Sequence, residues 1–243
     1  MADQLISLAT IRAVAVRIHV QRGRRLIWVL TALAAAGQIS AAQQAPQARF
    51  VVVLDAAHGG EDLGGRLANG QPEKAFTLAL SVRLRSLLAA RGIQVVTTRE
   101  SDAAVEPNKR AEIANRAQAQ ACLSLHASES GLGVHLFTSS LTPSQPTRFP
   151  AWKTAQAGWI ERSLALAGVL NSALQHAGMS VTLGRSSLPV VDSMTCPAVA
   201  VEIAPEMGPD KKPAAGLDDA DYQARVAAAL AAALVEWRAE AHP

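Results

Sequence analysis

The chain has 243 residues, 49% of them hydrophobic, and a formal net charge of +3. This length and apolar content suit one compact domain with a sizeable core. Residues 1–42 hold five of the 23 basic residues and one of the 20 acidic ones, so the remaining chain is slightly acidic. The charge therefore gives no support for binding to nucleic acid, and we expect none.

Residues 1–42 have the layout of a secretory signal peptide. Arginines precede an apolar run at residues 26–36, and small residues follow at 40–42. The run is too short to span a bilayer comfortably. We expect an exported protein of the periplasm or cell envelope, in which residues 43–49 are a linker and residues 50–243 the folded domain. An uncleaved N-terminal anchor is the alternative, and it would be the only link to a membrane.

The rest of the chain alternates between two kinds of pattern. Short apolar runs bounded by turn residues predict strands at residues 50–54, 93–98, 121–126, 134–138, 188–191 and 198–203. Helical spacing of apolar or small residues predicts helices at residues 72–91, 107–119, 160–177 and 219–239. Strands that alternate with helices predict a three-layer α/β domain with a largely parallel sheet. The sequence contains no internal repeat and no sign of a second domain.

The two cysteines, Cys122 and Cys196, lie far apart in the sequence, each beside an apolar strand. In an oxidising compartment they could form a disulfide. Two buried free thiols are equally compatible with the pattern.

Four titratable side chains stand where α/β sheets often carry their chemistry. His58 follows the first predicted strand and His126 closes the third, while Glu73 begins a helix and Glu202 lies near the end of the last strand. Two imidazoles and one carboxylate are a common ligand set for a catalytic zinc ion, which keeps a fourth position open for water. A further carboxylate near that water can accept its proton. The four positions are therefore compatible with a metal site that has a carboxylate beside it.

Each of these residues also has an ordinary explanation. His58 could be a hydrogen-bonded loop residue, His126 a strand-end histidine, and Glu73 a favourable charge at a helix N-terminus. Glu202 could pair with an arginine such as Arg99. It is the hardest of the four to explain without a function, because a carboxylate within a buried strand needs a partner.

Five separated motifs resemble those of the zinc-dependent N-acetylmuramoyl-L-alanine amidases that lyse cell walls. They read VVVLDAAHGGEDLGG, NGQPEKAFTLAL, VVTTRESD with NKRAEIANRAQA, CLSLHAS and PAVAVEI, in the order typical of the family. The resemblance implies that His58, Glu73 and His126 bind Zn²⁺ and that Glu202 is the catalytic glutamate. It also implies a twisted mixed sheet of about six strands flanked by helices, and activity outside the cytoplasm.

The expected function is zinc-dependent hydrolysis of the amide bond between N-acetylmuramic acid and L-alanine in peptidoglycan, by a monomer whose amidase domain is residues 50–243. Two alternatives stay open. One is a zinc hydrolase on the same scaffold that cuts another peptide or amide. The other is a cell-wall-binding module that has lost catalysis.

Three further residues are candidates for the surroundings of the site. Asp55 could orient one of the histidines from behind, or it could form a salt bridge or cap a turn. Arg99 and Arg110 could face the carboxylates of the substrate, or they could make structural ion pairs.

Overall fold

The computed structural model describes residues 49–145 and 151–241. The leader expected at residues 1–42 and all but the last residue of the linker lie outside this part. Among the helices of the described residues, none has both the length and the apolarity needed to cross a bilayer. The elements, in chain order, are β1 (Val51–Ala56), α1 (Glu73–Ala89), β2 (Gln94–Thr97), α2 (Pro107–Arg116), β3 (Ala121–Ala127), β4 (Val134–Ser139), a 3₁₀ helix (Trp152–Trp159), α3 (Ile160–His176), β5 (Val181–Ser186), α4 (Pro189–Asp192), β6 (Ala198–Ile203), β7 (Glu206–Met207), β8 (Pro213–Ala215) and α5 (Ala220–Ala241).

Six strands form the central sheet in the order β2-β1-β3-β6-β4-β5. β1, β2, β3 and β6 run parallel to one another. β4 is antiparallel to β6 and parallel to β5, so the last two strands reverse direction. The expected mixed, largely parallel sheet of six strands flanked by helices is therefore confirmed.

Helices α1, α3 and α5 pack on one face of the sheet and form the larger core. The central strands send every second residue to this face, as the two-residue period of a strand requires. The residues are Val52 and Leu54 on β1, Leu123 and Leu125 on β3, and Val199, Val201 and Ile203 on β6. These strands are buried on both faces, which explains their nearly continuous apolar runs.

The opposite face carries a smaller core under α2 and α4, built mostly from small side chains. Its centre holds a disulfide between Cys122 and Cys196, whose Cα atoms are 6.2 Å apart. Of the two possibilities left open by the sequence, the structure therefore contains the disulfide. The bond joins β3 to the residues that precede β6.

The strand expected at residues 188–191 is wrong. Pro189 starts the one-turn helix α4, and an Asp192 side-chain oxygen accepts a hydrogen bond from the Leu188 amide at 3.1 Å. The missing strand is β5, Val181–Ser186, at the edge of the sheet. Most of its residues are exposed, so it lacks the apolar run by which buried strands are recognised. The helix expected at residues 107–119 also ends early, at Arg116.

Candidate active site

The carboxyl ends of β1, β3 and β6 meet the N-terminal end of α1. In the sheet register, His126 on β3 is the direct neighbour of Glu202 on β6. Alternation along the strands places both residues on the face of the smaller core, because Cys122 and Ala198 lie there four residues earlier. The loop after β1 brings His58 to the same edge of the sheet.

Glu73 is buried at the first position of α1, and both of its carboxylate oxygens are occupied. Oε2 accepts a hydrogen bond from the Gly65 amide at 2.8 Å, and Oε1 accepts one from the Ala127 amide at 3.1 Å. The Nε2 atom of His58 is 3.1 Å from Oε2, and the Nδ1 atom of His126 is 3.2 Å from Oε1. Burial tends to raise the pKa of Glu73, but the hydrogen bonds from the two imidazoles and two amides outweigh it and hold the pKa well below its usual range.

His58 has a left-handed backbone, with φ of +62°, in the loop that follows β1. Its Nδ1 atom is 2.8 Å from Oδ2 of Asp62, so its Nε2 atom faces Glu73. Gly64 leaves room for the ring, since a Cβ at that position would lie 2.5 Å from the His58 ring. The hydrogen bond to Glu73 raises the pKa of His58 and Asp62 adds to this, against the opposing effect of burial.

His126 is backed by a short chain of polar groups. Its Nε2 atom is 3.4 Å from the hydroxyl oxygen of Ser124, and that hydroxyl donates to Oδ2 of Asp55 at 2.8 Å. Oδ1 of Asp55 accepts from Thr98 at 2.7 Å and from Arg110 at 2.8 Å. Asp55 therefore reaches a histidine only through Ser124, and it also forms the salt bridge that the sequence left open.

Glu202 lies outside this cluster, and its side chain is 33% exposed. Its Oε1 atom is 3.2 Å from the Nδ1 atom of His135 on β4. The alternative in which Glu202 pairs with Arg99 is therefore wrong, since the partner is a histidine on the neighbouring strand.

His58, Glu73 and His126 can hold one metal ion together. Each offers a ligand atom, and these atoms all lie within 4.8 Å of one another. Two ligands of a tetrahedral zinc ion are about 3.3 Å apart. Glu73 comes near this spacing with a different oxygen for each imidazole, Oε2 at 3.1 Å from His58 and Oε1 at 3.2 Å from His126. Asp62 and Ser124 engage the other nitrogen of each ring, as second partners of metal-bound histidines usually do. The residues present fit a zinc ion.

A cleft of about 320 Å³ opens beside the two histidines. Its polar lining includes His58, Asp62, Arg110 and His126, and its apolar lining includes Val105, Pro107, Leu188, Pro189 and Val190. Such a combination of apolar lining with a few convergent polar groups is typical of small-ligand sites.

The family model described as N-acetylmuramoyl-L-alanine amidase (Amidase_3) matches residues 52–236. The chain belongs to this family. The matched residues run from β1 to α5 and include His58, Glu73, His126 and Glu202.

Known amidases resemble the chain in sequence and in fold. Amidase AmiA of Escherichia coli is 42% identical over 77 residues, which are 32% of this chain and 27% of that protein. An amidase of Mycobacterium tuberculosis is 30% identical over 148 residues, 56% of each chain. The catalytic domain of CwlV, an amidase of Bacillus (Paenibacillus) polymyxa, superposes with a TM-score of 0.60 and 25% identity over 78% of this chain and 98% of that domain. The chain thus spans between about a quarter and about half of the length of these curated relatives.

Both arginines suggested for this amidase-family site are buried, and Arg110 is also among the residues that line the cleft. Arg99 donates hydrogen bonds to the backbone carbonyls of Ala56, Ala57, Lys74 and Ser101. Arg110 pairs with Asp55 and donates to the carbonyls of Ala56, His58 and Val105. The structural ion pair suggested by the sequence is therefore observed for Arg110, whereas the hydrogen bonds of Arg99 go to backbone oxygens and the Thr77 hydroxyl. The two side chains fix the loop that carries His58.

Two residues of the site, Asp62 and His135, escaped the sequence interpretation. Asp62 lies four residues after His58, and an acid that close to a candidate ligand was an available signal. His135 is a polar residue between the buried Val134 and Leu136, so alternation placed it on the other face. Its contact with Glu202 depends on the neighbouring position of β4 and β6, which the sequence does not reveal.

Proposed function

We propose that the chain is a zinc-dependent N-acetylmuramoyl-L-alanine amidase, which hydrolyses the amide bond between N-acetylmuramic acid and the L-alanine of the stem peptide in peptidoglycan. The observation that carries this proposal is the convergence of His58, Glu73 and His126 within the matched family region. The names of the related proteins support the same substrate.

His58, Glu73 and His126 would hold the metal ion. Bound Zn²⁺ lowers the pKa of a coordinated water and polarises a substrate carbonyl. Asp62 and Ser124 would keep the two imidazoles in the orientation that directs their free nitrogens to the ion. The two backbone amides on Glu73 would keep its carboxylate ionised and in place.

Glu202 would act as the general base and then as the general acid. Its carboxylate would accept a proton from the attacking water and pass it to the amine of L-alanine as the amide bond breaks. The position supports this role, because Glu202 is the registered neighbour of the ligand His126 and is partly exposed. The proton lost by the water thus leaves on the product amine.

We further propose that residues 1–42 direct export as a signal peptide or remain as an anchor, that residues 43–49 are a linker, and that residues 50–243 act as a monomeric amidase domain in the periplasm or cell envelope. The disulfide between Cys122 and Cys196 supports an oxidising compartment, because such bonds are rare in the cytosol.

The test is digestion of purified peptidoglycan by the zinc-loaded chain, with the products identified by mass spectrometry. We expect free stem peptides with an L-alanine N-terminus and intact glycan strands, and no release after the metal has been removed by a chelator. Cleavage of a different amide would favour another zinc hydrolase on the same scaffold. Binding to the wall without cleavage at saturating zinc would favour a non-catalytic module.

A further inference from the structure

His135 contacts Glu202 but has no assigned part in the proposed hydrolysis. β4 and β6 are antiparallel, and His135 is the direct cross-strand partner of Glu202. On the other side of Glu202, the registered partner is His126. Neighbouring Cα atoms in such registers are about 4.5–5.5 Å apart. The three side chains therefore form one row on the same face of the sheet, with Glu202 in the middle.

The imidazole of His135 contacts one group through each nitrogen. Nδ1 is 3.2 Å from Oε1 of Glu202. Nε2 is 3.2 Å from the backbone oxygen of Leu132. A carboxylate oxygen accepts hydrogen bonds, so an Nδ1 that carries a proton can donate to Glu202.

The loop before β4 is shaped to hold this ring. Gly131 has φ of +87°, and a Cβ there would lie 2.6 Å from Cε1 of His135. Gly133 has φ of +84°, and a Cβ there would lie 2.4 Å from the backbone oxygen of Ser180. The amide of Gly133 donates to the carbonyl of Pro205 at 2.8 Å, which ties the loop to the segment that follows Glu202. The loop that packs against the His135 ring is thus hydrogen-bonded to the segment that follows Glu202.

We propose that His135 is the positioning residue for Glu202: Nδ1 donates a hydrogen bond to Oε1 and leaves the other carboxylate oxygen for the reacting water. Among residues 49–145 and 151–241, no hydrogen bond engages that other oxygen. The inference rests on the proposed function, in which Glu202 is the base. Within the described part of the chain, no hydrogen bond or ion pair joins His135 to His58, Glu73 or His126.

The first experiment compares the zinc-loaded chain with His135→Phe and His135→Asn. Phenylalanine keeps a ring and removes both nitrogens, whereas the asparagine amide can donate to Oε1 from nearly the place of Nδ1. We expect His135→Phe to lower kcat on a soluble muropeptide ~10- to 100-fold, as loss of an outer partner typically does. KM and the zinc content should not change, and His135→Asn should recover much of the loss. His176→Phe, at an exposed helix end, is the matched control and should behave as the parent.

A parental kcat in His135→Phe, or an equal loss of kcat in His135→Phe and His135→Asn, would overturn the inference.

A second pair of variants tests the same inference without replacing His135. Gly131→Ala pushes on the imidazole, whereas Gly178→Ala meets nothing within 4 Å although its φ of +81° is similarly unfavourable. We expect only Gly131→Ala to lower kcat at constant zinc content. Equal effects would mean that backbone strain, and not the histidine, is responsible.

Crystal structures of the zinc-loaded parent and of His135→Phe separate this inference from the proposed function. We expect one ordered position of the Glu202 carboxylate in the parent and a displaced or multiple position in the variant. If the parent does not cleave peptidoglycan but the carboxylate moves in the variant, the positioning role stands and the proposed function fails. If the parent cleaves and the carboxylate stays in place, the positioning role alone fails.

Discussion

Glu73 and Glu202 lie at the same edge of one sheet, yet they differ in burial and in the number of groups that contact their carboxylates. Glu73 is buried, and each of its oxygens contacts one backbone amide and one imidazole. Glu202 is one-third exposed, and one oxygen contacts one imidazole. The helix start beneath Glu73 adds a favourable field for a negative charge, whereas Glu202 lies on a strand with no such field.

The difference matches the two roles proposed for these residues, metal ligand for Glu73 and general base for Glu202. A metal ligand functions best when its carboxylate stays ionised in one orientation, and four contacts enforce that for Glu73. A general base has to exchange protons with water, so it needs one oxygen that water can reach and one oxygen held by a hydrogen bond. The arrangement of Glu202 provides both. Changes in the cluster around Glu73, in the region of Glu202 and in the core behind them test this difference, in order of decreasing effect on the metal or the reaction.

Replacing a histidine of the cluster should have the largest effect. His126→Ala removes one of three ligands, and a three-ligand site has no spare donor. We expect loss of most of the zinc affinity and, with it, of peptidoglycan cleavage. Zinc content after dialysis and stem-peptide release measure the two losses, with His176→Ala as the control. Zinc binding as tight as in the parent would show that His126 is not a ligand.

Glu202→Gln should lower turnover without changing zinc binding by the cluster around Glu73. The change keeps the size of the side chain and removes its ability to accept the water's proton, so kcat should fall about 10² to 10⁴-fold. Zinc content and thermal unfolding should stay near those of the parent, because the cluster around Glu73 is untouched. Near-parental turnover would exclude Glu202 as the base.

Asp62→Asn tests the partner of His58. An amide in place of the carboxylate weakens the hydrogen bond that orients the ring, and the zinc affinity should fall ~10- to 100-fold. Competition with a chromogenic chelator measures the affinity. Asp210→Asn, in an exposed pair with Lys212 on the loop between β7 and β8, provides a matched loss of one charge. If both variants bind zinc equally well, the contact between Asp62 and His58 does not tune the site.

The double variant Cys122→Ala with Cys196→Ala should affect stability more than chemistry. The disulfide links residues 74 apart, and removal of such a crosslink lowers the free energy of unfolding by about 2–4 kcal/mol. Urea unfolding of the variant and of the parent, each with and without reductant, measures the change. An unchanged midpoint would mean that the hydrogen bonds between β3 and β6 suffice on their own.

Local patterns predicted most of the fold. The buried strands β1, β3 and β6 appear as apolar runs, and the helices appear through their spacing, so the class of the fold followed from the sequence. β5 was missed because an exposed edge strand carries no such run. α4 was misread because its single turn contains two valines after Pro189, which favour a strand by propensity.

The sequence by itself also determined which side chains could form the site, since His58, Glu73, His126 and Glu202 all stand at the ends of predicted elements. Only the tertiary structure decided their partners. Asp55 meets Arg110 across 55 positions, and Glu202 meets His135 across 67. Periodicity along the chain fixes the face on which a side chain lies, but it does not fix which strand lies beside it. The packing of the whole sheet sets the neighbour of each strand, and with it the partner of each of these side chains.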